Sequence, residues 1–365
     1  MIVGILGGGQ LARMMALAGY PLGLDFVVLE PNGDTCAAPV ADQIEGAYDD
    51  TEALAELARR ADVITYEFEN VPAASVKFLR EHADEVTVFP PPQALAVAQD
   101  RLHEKTLFGE LGIDTPDFAA VDSLTELEEA MARIGYPAVI KTRTQGYDGK
   151  GQAVLHREAD LEPAWENSIQ GVPAIVEAFV PFDREISIIA VRNQEGEIAS
   201  YPITENTHRE GILRLSIAQE NDPVQPLAVD YATRLLEHLD YVGVLALELF
   251  QVGEKLLANE FAPRVHNSGH WTQDGAKCSQ FENHIRAVAG LPLGETRAAE
   301  HAAMVNLIGD TPAIDEILKH RHAHLHLYGK APRPGRKVGH INLQAEERQA
   351  FQGELASLIA LADSV

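Results

Sequence analysis

The stretch 242–272, VGVLALELFQVGEKLLANEFAPRVHNSGHWT, constrains the rest of the chain most. Two apolar runs flank Gly253, Glu254 and Lys255, the pattern of a β-hairpin followed by a segment crowded with polar groups. With those three residues as the loop, Val252 pairs with Leu256 and the ladder runs on to Glu248 opposite Glu260. The two carboxylates then share a face, with Cβ atoms roughly 4.5–5.5 Å apart. Like charges at that separation destabilise a sheet unless one is protonated or a cation lies between them. Mg²⁺ typically takes one or two carboxylates and completes its shell with water and phosphate oxygens, so the hairpin predicts a nucleoside-triphosphate site without a Walker motif. A surface hairpin with two solvated Glu residues is the alternative. It fits poorly, because VGVLALELF is apolar on both faces.

The remaining composition narrows the ligands. With 55 acidic against 29 basic residues and a net charge of -26, the 365-residue chain offers no surface to nucleic acid or anionic membrane. A phosphate ligand must therefore meet a local basic cluster. Cys36 and Cys278 are too few for a disulfide framework and lack metal-ligand spacing, which points to a reducing compartment and a cytoplasmic protein. The opening MIVGIL is a strand-length run without a basic leader, and no apolar run reaches the length of a membrane span.

Alternating periodicities divide the chain in three. Residues 2–6 read as a strand, 10–19 as a helix and 26–29 as a strand, a Rossmann-like βαβ opening. Gly7, Gly9 and Ala12 match the G-x-G-x-x-G/A dinucleotide pattern, and Glu30 stands where a ribose-binding acid would sit. Pro31 follows at once, however, and such turns also bind other phosphates or merely pack tightly. Helix 51–60, strand 62–66, helix 72–82 and strand 86–89 follow, and the run Pro90, Pro91, Pro92 closes a first α/β domain, residues 1–100.

The second unit, 101–289, is α+β. It begins with one helical stretch, AVAQDRLHEKTLFGELG, and continues with strands at 117–121, 137–142, 151–156 and 174–180 and charged helices at 123–134 and 158–168. Between two of those strands, TRTQGYDGKGQ places three glycines within six positions around Lys150, a flexible loop whose N–H groups and cation can close over phosphates. Lys141 ends the apolar strand beside it. The plain reading of both is a Gly-Asp hairpin turn and a solvated Lys. Residues 177–180 end a strand before Pro181, where unpaired backbone groups can clamp adenine. Glu185 is either a ribose acceptor or an exposed Glu. The segment 201–220 around His208 reads as a loop and strand over the site, and helix 224–240 leads into the hairpin.

The last unit, 290–365, is small and ends in a helix at 345–361. His320, His322, His324 and His326 alternate with apolar residues. A strand with one apolar and one solvated face explains them better than a metal site. The cluster Lys330, Arg333, Arg336 and Lys337 could capture a substrate phosphate or merely balance surface charge.

Seven motifs in order, GILGGGQLARMM, DRLHEK, VIKTRTQGYDGKGQ, EAFVPFDREIS, NTHREGILR, NEFAPRVHNSGHWT and YGKAPRPGRKVGHIN, resemble the N5-carboxyaminoimidazole ribonucleotide synthase family of purine biosynthesis along the whole chain. The family lies in the ATP-grasp superfamily. The resemblance implies a Rossmann-like N-terminal domain, an ATP-grasp domain and a small C-terminal domain, and a ligase. It would convert ATP, bicarbonate and 5-aminoimidazole ribonucleotide into ADP, phosphate and the N5-carbamate. By the same resemblance, Arg101, Lys141, Gly146, Tyr147, Asp148, Gly149, Lys150, Gly151, Gln152, Glu177, Ala178, Phe179, Val180, Glu185, His208, Asn259 and Glu260 would bind ATP, with Mg²⁺ on Glu248 and Glu260. Tyr147, Asp148, Lys150, Arg264 and His266 would contact the ribonucleotide or carboxyphosphate, and Lys330, Arg336 and Lys337 its phosphate. Asp148, Lys150, Arg264 and His266 would be catalytic, with either Asp148 or His266 handling the amine proton. Many superfamily members carry E-x-N-P-R where this chain has Glu260, Phe261, Ala262, Pro263 and Arg264; Asn267 or water would take the vacated coordination position. The resemblance also implies a homodimer. Three rival readings are a formate-dependent ribonucleotide transformylase, a non-catalytic nucleotide sensor and an NAD-dependent oxidoreductase. The last leaves the carboxylate hairpin and GYDGKG unexplained.

Overall fold

The computed structural model describes residues 1–33, 35–82, 86–144, 151–298 and 301–365. The first unit is a five-stranded parallel sheet in the order Asp42–Glu45, Asp25–Glu30, Ile2–Leu6, Val63–Tyr66, Thr87–Val88. Val3, Ile5 and Leu6 of the central strand are wholly buried, as expected where helices cover both faces of a parallel sheet. The helix Thr51–Arg60 illustrates why the local sequence folds as it does. The Asp50 carboxylate accepts from the N–H groups of Glu52 and Ala53, Ala53, Leu54 and Leu57 form one buried face, and Arg59 and Arg60 sit at the negative end.

One expected helix is two. Asp100 is extended (φ -131, ψ 109) and caps the N–H of Leu102, so Pro92–Ala98 stops and Arg101–Glu110 starts on a new axis. The charged helix expected over 158–168 is likewise broken into Glu158–Asp160, Leu161–Ala164 and a wider turn at Trp165–Ile169. The expected loop and strand at 201–220 is instead a hairpin, Ile203–Arg209 with Ile212–Gln219, turning on Glu210 (φ 54) and Gly211 (φ 74).

Two antiparallel sheets follow the first unit. A four-stranded sheet runs Phe118–Val121, Ala174–Ala178, Ala138–Thr142, Gln152–Leu155. The larger sheet runs Lys255–Ala262, Gly243–Val252, Arg184–Arg192, Ile203–Arg209, Ile212–Gln219, His301–Ile308, Lys337–Ala345, Ala323–Leu327. Strands after residue 290 therefore extend the same sheet, while Val305, Leu307, Ile341 and Leu343 pack under the helix Arg348–Ala362 in a core of their own.

The carboxylate hairpin reaches its expected pairing by an unexpected route. Val252 pairs with Lys255, so the loop is only Gly253 (φ 60) and Glu254, with Gly first as two-residue hairpins of this hand require. That register alone would put Glu248 opposite Asn259 and turn Glu260 to the other face. A bulge at Asn259, however, adds one residue to the second strand and restores Glu248 opposite Glu260.

Candidate active site

A cavity of about 820 Å³ opens where the three sheets meet. The four-stranded sheet contributes Lys141, Gln152, Glu177 and Ala178, followed in the chain by Phe179 and Val180; the large sheet contributes Glu185, His208, Glu248, Asn259 and Glu260; the N-terminal unit contributes Gln10, Glu67, Glu69 and Asn70. Arg101, Arg264, His266 and Lys337 also line it.

One half is built for a flat base and a chain of phosphates. Phe182 and Phe250 stack at 4.9 Å and 10° on its wall, beside half-exposed Phe179. Lys141 Nζ is 3.4 Å from Asn259 Oδ1 and 3.0 Å from Glu177 Oε1, a charge contact lacking hydrogen-bond alignment. Glu185 is held by His208, with Nδ1 and Oε2 2.6 Å apart; burial lowers the imidazole's pKa, and this hydrogen bond together with the charges of Glu185 and Glu248 more than reverses the effect.

The carboxylates carry the strongest electrostatic signal. Burial and then Glu260 push Glu248 up to about 7, and the same two causes push Glu104 up to about 8. Glu104 spends one oxygen on the Phe261 N–H at 2.6 Å, and the Arg101 guanidinium stands 3.9 Å from Glu260. Among the described residues no three His, Cys, Asp or Glu side chains converge as ligands. Two like-charged carboxylates facing one cavity still fit Mg²⁺, which readily leaves the rest of its shell to water and phosphates. Ala262 has no ligating side chain, and Asn267 is already paired reciprocally with Asn306 at 3.1 and 2.7 Å.

His266 is oriented rather than free. Its Nδ1 accepts from Ser268, at 2.9 Å from the hydroxyl, which leaves the proton on Nε2; that nitrogen lies 3.1 Å from Glu248 Oε1, a close contact without hydrogen-bond alignment. This tautomer is assigned from the network. Burial and then Arg264 hold the ring well below its usual pKa, so it is neutral. Neither nitrogen has a lone pair available to take an amine proton in this arrangement. Arg264 Nε donates to Glu69, and its Nη1 donates to the Val265 carbonyl at 3.0 Å.

The other half of the cavity is bounded by Gln10, Glu67–Asn70 in sequence, Arg264 and Lys337. Lys330 Nζ donates to Gln10 Oε1 at 2.5 Å, and Arg336 Nη1 donates to the Ala331 carbonyl at 3.3 Å beside it. Neither of these two lines the cavity; Lys337 does. Gly151 (φ 69) abuts Thr142, where a Cβ would lie 2.8 Å from Oγ1. Gly146, Tyr147, Asp148, Gly149 and Lys150 lie outside the described residues.

The glycine turn at 7–9 already has an anion. Glu67 accepts from the N–H groups of Gly9, Leu11 and Ala12 at 2.6, 3.1 and 3.0 Å, where a dinucleotide's pyrophosphate would sit. Glu30 accepts from Gly8 N–H at 3.0 Å and from Tyr48. The NAD reading is thereby overturned.

Family models match along the chain: the ribonucleotide synthetase preATP-grasp domain over residues 1–99, the ATP-grasp domain over 106–281, and the phosphoribosylaminoimidazole carboxylase C-terminal domain over 302–353. An N5-carboxyaminoimidazole ribonucleotide synthase of Pseudomonas aeruginosa is 52% identical over 364 residues, covering 100% of both chains. The chain belongs to the N5-carboxyaminoimidazole ribonucleotide synthase family. The family's synthetase from Thermus thermophilus has a crystal structure 53% identical to this chain, with a TM-score of 0.94 and 98% of each chain covered. The family's enzyme from Aspergillus clavatus, solved with ADP and 5-aminoimidazole ribonucleotide, is 29% identical with a TM-score of 0.89, covering 100% of this chain and 99% of that one.

Family membership bears out the reading of a Rossmann-like unit, an ATP-grasp unit and a small C-terminal unit. Several residues in the cavity were not singled out from the sequence: Gln10, Glu67, Glu69, Asn70, Glu104 and Tyr328. A signal for the first four exists. In the parallel sheet the strand order reverses between Ile2–Leu6 and Val63–Tyr66, and ligands gather at the carboxyl ends of strands at such a switch point.

Proposed function

We propose that this protein catalyses the ATP-dependent carboxylation of 5-aminoimidazole ribonucleotide with bicarbonate, giving N5-carboxyaminoimidazole ribonucleotide, ADP and phosphate. The observation that carries this reading is the pair Glu248 and Glu260, set face to face in a cavity that also holds Lys141, Arg101, Arg264 and Lys337. Relatives named for this reaction support it.

A bicarbonate oxygen attacks the γ-phosphorus, the bond to the β,γ-bridging oxygen breaks, and ADP leaves with carboxyphosphate formed. The amine of the ribonucleotide then attacks the carboxyphosphate carbon; phosphate leaves and the amine loses a proton. Mg²⁺ on Glu248 and Glu260 would neutralise charge on the phosphates. Lys141 meets the phosphates in the half walled by Phe182 and Phe250, and Glu185, fixed by His208, accepts from the ribose. Arg264, braced by Glu69, and Lys337 line the other half and are proposed to hold the bicarbonate-derived group as charge develops. His266 Nδ1 is engaged by Ser268 and its Nε2 lies against Glu248 Oε1, 3.1 Å away, so Asp148 is the proposed candidate for the amine proton. Lys150 and Tyr147 belong to the glycine-rich loop proposed to close over the phosphates and exclude water from carboxyphosphate. Lys330, tied to Gln10, and Arg336, bonded to the Ala331 carbonyl, are proposed to receive the ribonucleotide's phosphate. The reading carries with it a homodimer, which light scattering tests.

The deciding experiment measures ADP release with 5-aminoimidazole ribonucleotide and bicarbonate, each omitted in turn, and with formate substituted for bicarbonate. Release that needs both substrates supports the proposal. Release with formate favours a transformylase, and ADP binding without release a nucleotide sensor.

A further inference from the structure

The helix Arg101–Glu110 carries a buried cation that the proposed chemistry leaves unused. Lys105 is 1% exposed; its ammonium lies 3.0 Å from Glu177 Oε2 and donates to the Ala258 carbonyl at 3.0 Å. The two partners lie on different sheets. Glu177 belongs to Ala174–Ala178 of the four-stranded sheet, and Ala258 immediately precedes the bulge in Lys255–Ala262. Lys105 thus ties together the two walls of the cleft.

The charges around it count in a particular way. Glu177 carries one negative charge and touches two ammonium groups, Lys105 and Lys141; burial lowers the Lys105 pKa and the Glu177 carboxylate opposes that, so with both lysines charged the triad has a surplus of one positive charge. That surplus faces the cleft through Lys141, whose side chain is 15% exposed. Burial raises the Glu177 carboxyl, but Lys105 first and Lys141 second bring it down to about 2, so it is ionised. Glu104 is the next carboxylate along the helix. Its Oε1 is taken by the Phe261 N–H at 2.6 Å, and the Lys105 ammonium is paired with Glu177 instead.

Without Lys105, Lys141 would be the sole counter-ion of a buried anion. Moving it to a nucleotide phosphate would then strand Glu177, which is a severe cost in a low-dielectric interior. We propose that Lys105 is a positioning residue for the nucleotide: as the permanent counter-ion of Glu177, it frees Lys141 to bind phosphate. The proposal rests on the reading of the cleft as a nucleotide site.

The test is a double-mutant cycle on the full-length protein, with ADP binding read by titration calorimetry. The four forms are wild type, Lys105→Met, Glu177→Gln and the double variant. Wild type binds ADP; failure to do so sinks the nucleotide reading itself and this proposal with it. Lys105→Met weakens ADP binding by about tenfold or more, a sizeable fraction of a charge-assisted phosphate contact. In the Glu177→Gln background, the same Lys105→Met change costs less than about threefold, because no buried anion remains to hold Lys141. A merely structural role for Lys105 would not show that dependence on Glu177. Lys105→Gln keeps a donor for Ala258, loses as much ADP affinity as Lys105→Met, and serves if the latter does not fold. With the nucleotide reading intact, the proposal is overturned if removing the Lys105 charge leaves ADP affinity within twofold of wild type. An equal loss in both backgrounds overturns it too.

Discussion

Replacing Glu260 with Gln should make the metal-free protein more stable and the enzyme far less active. Glu248 and Glu260 are directly opposed across the hairpin, with Cβ atoms about 5 Å apart by the geometry of such pairs. Two unit charges at about 5 Å repel by about 3 kcal/mol at an effective dielectric constant of about 20. The Glu260 side chain is 47% exposed, and solvent screening reduces the figure to roughly 1 kcal/mol. Repulsion acts only when both groups are ionised, and Glu248 keeps its proton up to about 7. The gain therefore belongs to alkaline pH: the variant's melting temperature without Mg²⁺ should rise by about 1–2 °C at about pH 8.5 and change little at about pH 6. Added Mg²⁺ should raise the wild-type value and not the variant's. Turnover, read as ADP release, should fall by at least about 3 kcal/mol, or about a hundredfold, the usual loss when one preorganised electrostatic group is removed. The opposite signs in one variant are what the like-charge reading requires. Near-normal turnover at saturating Mg²⁺, or a metal-free variant that melts lower than wild type at alkaline pH, would refute it.

Cation binding should expel the Glu248 proton: about one proton released per site near pH 6 and few near pH 8.5, read by Mg²⁺–ADP calorimetry in two buffers of different ionisation enthalpy. No release near pH 6 sinks this expectation. Glu177 works in the opposite sense. Its folded carboxyl is depressed from 4.5 to about 2, so its contribution is present above the unfolded value and lost as pH falls from about 4.5 towards 2. On the order of 3 kcal/mol is at stake. The urea midpoint of wild type relative to Glu177→Gln should accordingly decline between pH 6 and pH 3, and a constant difference contradicts the ion-pair account. Finally, Glu67→Ala should cost about 2–4 kcal/mol in urea unfolding, because it leaves the N–H groups of Gly9, Leu11 and Ala12 without their acceptor. A variant as stable as wild type would show that water satisfies those groups equally well.

What the sequence made legible was local. Alternation along VGVLALELF and KLLANEF announces a hairpin, and the pairing of Glu248 with Glu260 follows once three residues are taken as the loop. The loop has two residues, and the pairing survives because Asn259 bulges. Two contacts that flank this bulge, Lys105 to the Ala258 carbonyl and Glu104 to the Phe261 N–H, come from a helix more than 150 residues earlier, at separations of 153 and 157. No periodicity within the hairpin can encode them. Still longer separations, 195 and 219, hide Glu69 behind Arg264 and Thr65 behind His284, the Thr65 Oγ1 and His284 Nε2 meeting at 2.8 Å. The hairpin at 203–219 was missed for a different reason. Its buried strand residues include Thr204, Asn206 and Ser216, polar groups satisfied by one another and by neighbouring side chains, so the strands look like a loop in composition.

The glycine turn shows how a correct motif can point to the wrong ligand. A Rossmann opening offers N–H groups and a helix dipole to any anion. Here Glu67, four residues after Val63 begins its strand, reaches across the switch point and occupies that place permanently. The turn is thereby turned from a binding surface into a brace that fixes the end of one strand against the start of the next helix. Its neighbour Gln10 is left facing the cavity, tied to Lys330, and Glu69 is left facing Arg264. In a molecule of net charge -26, anionic substrates can be held only where cations are concentrated. Arg101, Lys141, Arg264 and Lys337 all line one cavity, with Lys330 at its edge. Among the acidic groups there, Glu104 and Glu248 are pushed towards protonation by burial and then by Glu260, and Glu69 and Glu177 are spent on orienting a cation. The cleft can thus accept a triphosphate and a monophosphate together, although the molecule around it repels both.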